Sequence, residues 1–253
     1  MFKDIVIAIQ AYGQAHRFIR QNNLWKWIVL PGIFYMLVFS FSMYFFGKSA
    51  TSVIEFLGVR SGLNTWIESM RSEVLGFFFT LAGLILWLIL MLFYFSLFKY
   101  IWLIIGSPVF AYLSEKTEAI LDGKDFPFSF RQLAKDIFRG MAIAIRNLLW
   151  QSVYLFAILL LSLIPLVGWI TPVFAILIES YYYGFSMLDY SCERHKLSAA
   201  ESIHFIGNRK GLAIGNGIMF YLMHLVPILG WIFAPAYAVI AATLSMQAVR
   251  KNG

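Results

Sequence analysis

The sequence predicts an all-α integral membrane protein with two long transmembrane helices, two proline-broken re-entrant helical hairpins, and amphipathic helices on the cytoplasmic side. Three observations predict it. Of 253 residues, 60% are hydrophobic and only 13% charged, with a mean hydropathy of +0.75, whereas soluble domains carry about 25% charged residues. Two uninterrupted apolar runs are long enough to cross a bilayer. A short motif of two prolines, a glycine and a tryptophan occurs twice, each time between two apolar arms.

No polar linker rich in Gly, Ser or Pro divides the chain, so residues 1–253 are expected to form a single membrane domain. The N-terminal run from Ile5 to Ile9 stops at Gln10 without a small-residue cleavage site, so it does not read as a signal peptide. Residues 1–26 read instead as an amphipathic helix on the inner leaflet. Phe2, Ile5, Val6, Ile9 and Tyr12 share one face, and Lys3, Asp4, Gln10, Gln14 and Arg17 lie elsewhere.

Residues 27–46 carry no charge over about the 20 positions that ~30 Å of hydrocarbon requires at 1.5 Å per residue. This is the first span. The second, 74–105, is apolar from Val74 to Phe98, reaches Lys99, and has Tyr94, Tyr100 and Trp102 as expected interface anchors. The loop between the spans holds Lys48, Arg60 and Arg71, three of the chain's 20 basic residues. The others lie at the two termini, from Lys99 to Arg146, and from Arg194 to Lys210, so both termini are expected in the cytoplasm.

Residues 107–147 are expected to form cytoplasmic-side helices. One begins at Ser107-Pro108, with serine as cap and proline in the first turn, and stops before Gly123. Another follows a capping box of Ser129 and Gln132, with Phe130, Leu133, Ile137, Phe138, Met141 and Ile145 on one face. That face suits either the leaflet surface or packing on other helices.

Two broken hairpins complete the chain, at 148–190 and 211–250. Pro165, Gly168, Trp169 and Pro172 in the first match Pro227, Gly230, Trp231 and Pro235 in the second, with one residue inserted. Neither break contains Lys, Arg, Asp or Glu, so nothing fastens the tips in external water, and the hairpins read as re-entrant. Non-helical backbone at membrane depth needs partners from protein or from a water-filled cavity, as in transporters. Equally, Pro and Gly can simply turn two ordinary hairpins.

Glu179 is the acidic residue inside a predicted membrane arm, where an ionisable group is costly enough to mark a functional candidate. It is a candidate pore or gating carboxylate, with Tyr181 nearby and His224, just before the second break, as a conceivable partner. It can also serve as polar glue between helices. Cys192 is single, so no disulfide forms within the chain. The four histidines and Cys192 show no close ligand spacing, and no Walker loop, nucleophile elbow or dinucleotide fingerprint is present. No metal, no cofactor and no catalytic residues are expected, and the protein is not expected to be an enzyme. The net charge of +7 is spread between apolar segments, which suits a membrane surface and not nucleic acid.

Val29–Pro31, the stretch from Ser107 to Glu118, Leu188–Tyr190 with His195 and Lys196, Asn208–Lys210 and both breaks occur in a characteristic order and spacing. On these pieces the chain resembles, over nearly its whole length, the CysZ sulfate permeases and the wider etoposide-induced membrane protein family. The resemblance implies a cytoplasmic (inner) membrane location, two long spans with two hemi-penetrating hairpins, a homo-oligomer, and proton-influenced sulfate uptake. In the permeases a Gly-Leu or Gly-Ile followed by an Arg pair binds sulfate before the first span. The equivalent here is Asn23-Leu24-Trp25-Lys26, where Lys26 supplies one point charge in place of a bidentate pair. Arg20 can complete a looser entrance site, or both cations can bind lipid phosphate. Two readings follow: a permease or channel for a small anion such as sulfate, or a non-transporting membrane scaffold or assembly protein of the same family.

Overall fold

The computed structural model describes all residues except 61, 63–64, 66–72, 124–129, 165 and 252–253. Helices account for nearly all of them, and no strand occurs among the described residues. In chain order the helices are α1 (Phe2–Gln21), α2 (Trp25–Arg60), α3 (Glu73–Ile105), α4 (Ser107–Asp122), α5 (Phe130–Ser162), α6 (Thr171–Arg194), α7 (Ala199–Asn208), α8 (Lys210–His224) and α9 (Leu229–Lys251). Four are long and apolar enough to cross a membrane: Trp25–Arg60, Gly76–Ile105, Phe138–Ser162 and Leu229–Arg250. The two expected spans lie in α2 and α3, and one arm of each hairpin joins them.

Several boundaries differ from the sequence reading, for local reasons. The helix that holds the first span, 27–46, does not end at 46. Gly47 and Lys48 carry the helix onward to Arg60, because one glycine and one lysine cost a helix only about 1 kcal/mol. Likewise 130–162 is one helix and not an amphipathic helix followed by a hairpin arm, since it contains no Pro and its one glycine, Gly140, costs a helix only about 1 kcal/mol. The proposed capping box at Ser129 and Gln132 lies outside the residues whose side chains are described. Ser107 does not cap α4. Gly106 holds the cap position, and Ser107 Oγ donates to Ile104 O at 2.9 Å. A capping box does open α7, where Ser198 N donates to Glu201 Oε2 at 2.7 Å and Glu201 N to Ser198 Oγ at 3.3 Å.

The N-terminal helix buries a face other than the one anticipated. Ala8, Ala11, Tyr12, Ala15, Phe18 and Ile19 pack on α8 and α9, while Phe2 and Ile9 are exposed. The small side chains let the helices approach, and the contact of α1 with α8 is pinned by Tyr12 OH donating to Asn216 O at 2.8 Å. Tyr100 and Trp102, expected at the interface, are buried in the main core instead.

Both breaks share one turn. Leu166 and Ile228, each the residue after the first proline of its motif, have positive φ of 69° and 66°. Two residues on, Gly168 N donates to Ile164 O at 2.8 Å and Gly230 N to Val226 O at 2.9 Å. A Cβ on Gly230 would lie 1.8 Å from Met223 O, and one on Gly168 2.4 Å from Ser162 O, so the turn admits only glycine there. The inserted residue then separates the copies. Pro172 sits in the first turn of α6, after a 3-10 turn over Gly168–Ile170, whereas α9 has already begun at Leu229 and carries Pro235 inside it.

The tips expose large apolar side chains, among them Leu163, Leu166, Trp169, Leu225 and Ile228, as do the outer faces of α2 and α3. Apolar surface on this scale is stable in hydrocarbon and not in water. The chain is a membrane protein.

Candidate functional site

Helices α6 and α8 make the most extensive helix pair in the molecule. They meet at glycines: a Cβ on Gly217 would lie 1.9 Å from Ser180 O, and one on Gly184 2.0 Å from Ala213 O. Small residues at such a crossing let two backbones touch, the usual way helices associate in lipid. The crossing sets Tyr221, one turn beyond Gly217, against Glu179, the neighbour of Ser180.

Around this contact α3 and α5 close a polar cluster inside the apolar bundle. Glu179 is fully buried and Lys99 is 2% exposed. Lys99 Nζ donates to Glu179 Oε2 at 2.7 Å and to Gln151 Oε1 at 2.8 Å. Tyr221 OH donates to Glu179 Oε2 at 2.6 Å. Tyr100 OH donates to Gln151 Oε1 at 2.7 Å, which fixes the amide so that its Nε2 faces Glu179 Oε1 and Ser96 Oγ, the latter at 2.7 Å. The ammonium also stands 4.7 Å from the centre of the Tyr100 ring. Every polar atom of the carboxylate and the amide is therefore engaged, the condition under which a buried ion pair persists.

Of the residues singled out in the sequence, Glu179 is at the centre of this cluster. Its partner is Lys99, read in the sequence only as the charge that ends the apolar run from Val74 to Phe98. Tyr181 is not in the cluster; it packs on Tyr182 and Phe185. His224 is not bonded to Glu179 either. Its Nε2 lies 3.5 Å from Tyr35 OH, its backbone oxygen accepts from Trp231 Nε1 at 3.0 Å, and its ring stacks on Phe220 at 5.0 Å. Gln151, Tyr221 and Ser96 were missed. The usable signal was charge balance: a carboxylate in a membrane arm needs a cation at similar depth, and Lys99 interrupts an apolar run that continues to Ile105.

The candidate entrance forms the turn between α1 and α2. Asn23 has φ 52°, Leu24 N donates to Ile19 O at 3.1 Å and Asn22 N to Phe18 O at 3.0 Å, a Schellman-type ending that seats Leu24 in the core. Asparagine tolerates this left-handed conformation, so the backbone shape survives without glycine. Trp25 packs edge-on against His16 and Phe233. Lys26 and Arg20 are exposed, and neither makes an ion pair among the described residues.

At the polar ends of α4, α5 and α6, Arg139 pairs with Asp189 at 3.0 Å and reaches Ser202 Oγ, and Arg194 pairs with Glu115 at 3.3 Å. Glu193 lies in the last turn of α6, beyond the apolar arm. Burial there pushes its carboxyl up to about 7, against the opposing pull of Arg139 and with help from Asp189 and Glu115. Glu201, held by the Ser198 backbone N–H and hydroxyl, is shifted down.

A family model described as "Sulfate transporter CysZ/Etoposide-induced protein 2.4" matches residues 11–235. The chain is 27% identical over 246 residues to a protein named Sulfate transporter CysZ from Pseudomonas paraeruginosa, covering 96% of this chain and 95% of the relative. It is 30% identical over 198 residues to a protein of the same name from Vibrio parahaemolyticus, covering 76% and 79%. Over 152 residues it is 32% identical to another from Pseudomonas fluorescens, covering 59% and 60%.

Proposed function

This chain belongs to the sulfate transporter CysZ/etoposide-induced protein 2.4 family, and from that premise we propose that it is a membrane permease or channel for a small inorganic anion, with sulfate as its substrate. The observation that carries the reading is similarity along nearly the whole chain to proteins named as sulfate transporters. A composition suited to hydrocarbon and a polar cluster within an apolar bundle agree with it.

In this reading Lys26 and Arg20 gather anions at the membrane entrance, on the turn formed by Asn23, Leu24 and Trp25. The 15-residue α8 spans about 22 Å at 1.5 Å per residue, short of the ~30 Å hydrocarbon core. The second hairpin, with this short arm, dips into the bilayer without crossing it and enters from the cytoplasmic side of the inner membrane, where both termini lie; the first hairpin, whose arms are longer, is read the same way because its break repeats the same turn. The 253 residues act as one domain, and copies assemble into a homo-oligomer.

A second reading, a non-transporting membrane scaffold, is favoured by one observation. Where the permeases carry an Arg pair, Trp25 and Lys26 leave a single exposed cation. Uptake of labelled sulfate by purified protein in liposomes separates the two. Saturable uptake that falls in Lys26→Ala and Arg20→Ala is expected for the permease; no uptake above empty liposomes, in native protein and variants alike, overturns it.

A further inference from the structure

The Glu179 carboxylate is held as a bound anion would be. Three donors on three different helices converge on its two oxygens: an ammonium and a phenol on Oε2, and an amide N–H on Oε1. Gln151 cannot turn its oxygen toward Glu179, because Lys99 and Tyr100 both donate to that oxygen. The amide is thus set to donate whatever occupies the position beside it. A cation with two neutral donors, preoriented in a dry interior, is the donor set that recognises inorganic oxyanions.

An apolar groove lies beside the position. Tyr221 and His224 line a groove of about 430 Å³ together with Phe39, Phe95 and Ile176. Ile176 lies nearly one helical turn before Glu179 on α6, and Tyr221 bonds the carboxylate directly, so the groove reaches the edge of the cluster. His224 is 9% exposed, and its Nδ1 has no hydrogen-bond partner among the described residues.

We propose that Glu179 is a tethered anion occupying an internal oxyanion site formed by Lys99 Nζ, Gln151 Nε2 and Tyr221 OH, and that a small inorganic oxyanion takes its place there. The inference rests on the permease reading and adds an interior site to it. No covalent step is involved: one anion leaves the donors and another accepts the same hydrogen bonds. Lys99 and Glu179 together are neutral, so departure of the carboxylate leaves an ammonium that requires a replacement anion in this low-dielectric setting.

The test is sulfate binding to the full-length protein in detergent, read by thermal-shift titration with gluconate holding ionic strength constant. Lys26→Ala and Arg20→Ala are present in every sample, so that the entrance does not contribute. Because a tethered competitor lowers apparent affinity by the fraction of time it holds the site, Glu179→Gln is expected to bind sulfate at least about tenfold more tightly. Glu179→Asp keeps the charge, shortens the reach by one methylene, and is expected to shift affinity in the same direction by a smaller factor. Adding Tyr221→Phe to Glu179→Gln should weaken binding about tenfold again, the loss of one hydrogen bond to a charged group. Sulfate affinity that is unchanged or weaker in whichever Glu179 variant melts cooperatively overturns the proposal, even where liposome uptake is intact. Tightened binding without any liposome uptake leaves the internal site standing and removes the permease reading instead.

Discussion

Lys99 Nζ stands 2.7 Å from Glu179 Oε2, across 80 residues of sequence and inside an apolar bundle. The pair joins α3 to α6, and Gln151 and Tyr221 extend the link to α5 and α8. Four helices therefore share one polar junction, and losing either charge exposes the other to hydrocarbon.

Lys99→Met is expected to destabilise the protein by about 3–5 kcal/mol, the usual cost of leaving a buried charge unpaired. Lys99→Met combined with Glu179→Met should recover most of that loss. Melting temperatures in one detergent check both; a double variant no more stable than the single one contradicts the account.

Gly217→Ala puts a methyl where the carbonyl of Ser180 now lies, at 1.9 Å. Forcing α6 and α8 apart should cost about 1–3 kcal/mol and loosen the Tyr221 contact. Gly13→Ala meets nothing within 4 Å on α1, and is expected to stabilise by about 0.5–1 kcal/mol through helix propensity. Opposite signs in thermal melts are the outcome to look for.

Ile228 occupies a left-handed conformation that costs a β-branched residue roughly 1–2 kcal/mol. Ile228→Gly should therefore stabilise the second break, offset in part by chain entropy, while Gly230→Ala should disrupt it. Melting temperatures in one detergent read both directions.

Raised to about 7, the Glu193 carboxyl binds its proton more tightly in the fold than in the unfolded chain, where its value is the ordinary 4.5. Between these values the folded state holds more protons, so stability falls as pH rises from about 4.5 to about 7 and levels off above. Glu193→Gln should flatten that part of the profile, measured as melting temperature against pH.

Ser198→Ala removes the hydroxyl that accepts from Glu201 N and should cost about 1 kcal/mol. The effect belongs to α7, so amide exchange in 199–202 should accelerate more than elsewhere.

The helical, membrane-bound character of the chain was legible because hydrocarbon imposes long uncharged runs, and Trp27 to Phe46 and Val74 to Phe98 are such runs. The paired turns were legible too, since Pro and Gly recur at matching positions. Partners of single side chains were not. Periodicity places Glu179 on a helix but not at a rotation or depth relative to α3, so Lys99 passed for a boundary charge and His224 for a conceivable partner. The buried stripe of α1 was hidden for a related reason. Its small alanines carry little hydrophobic signal, yet they are what allows close packing on α8. Helix ends at 46 and 147 were misplaced because nothing there breaks a helix.

The interval between Lys99 and Glu179 has a consequence for biosynthesis. At about 5–20 residues per second, roughly 4–16 s of translation separate the two side chains. Through that interval the nascent second span carries an uncompensated ammonium, which only the later arrival of the first hairpin neutralises. A chain truncated before residue 179 never receives that partner and keeps its ammonium unpaired among apolar helices.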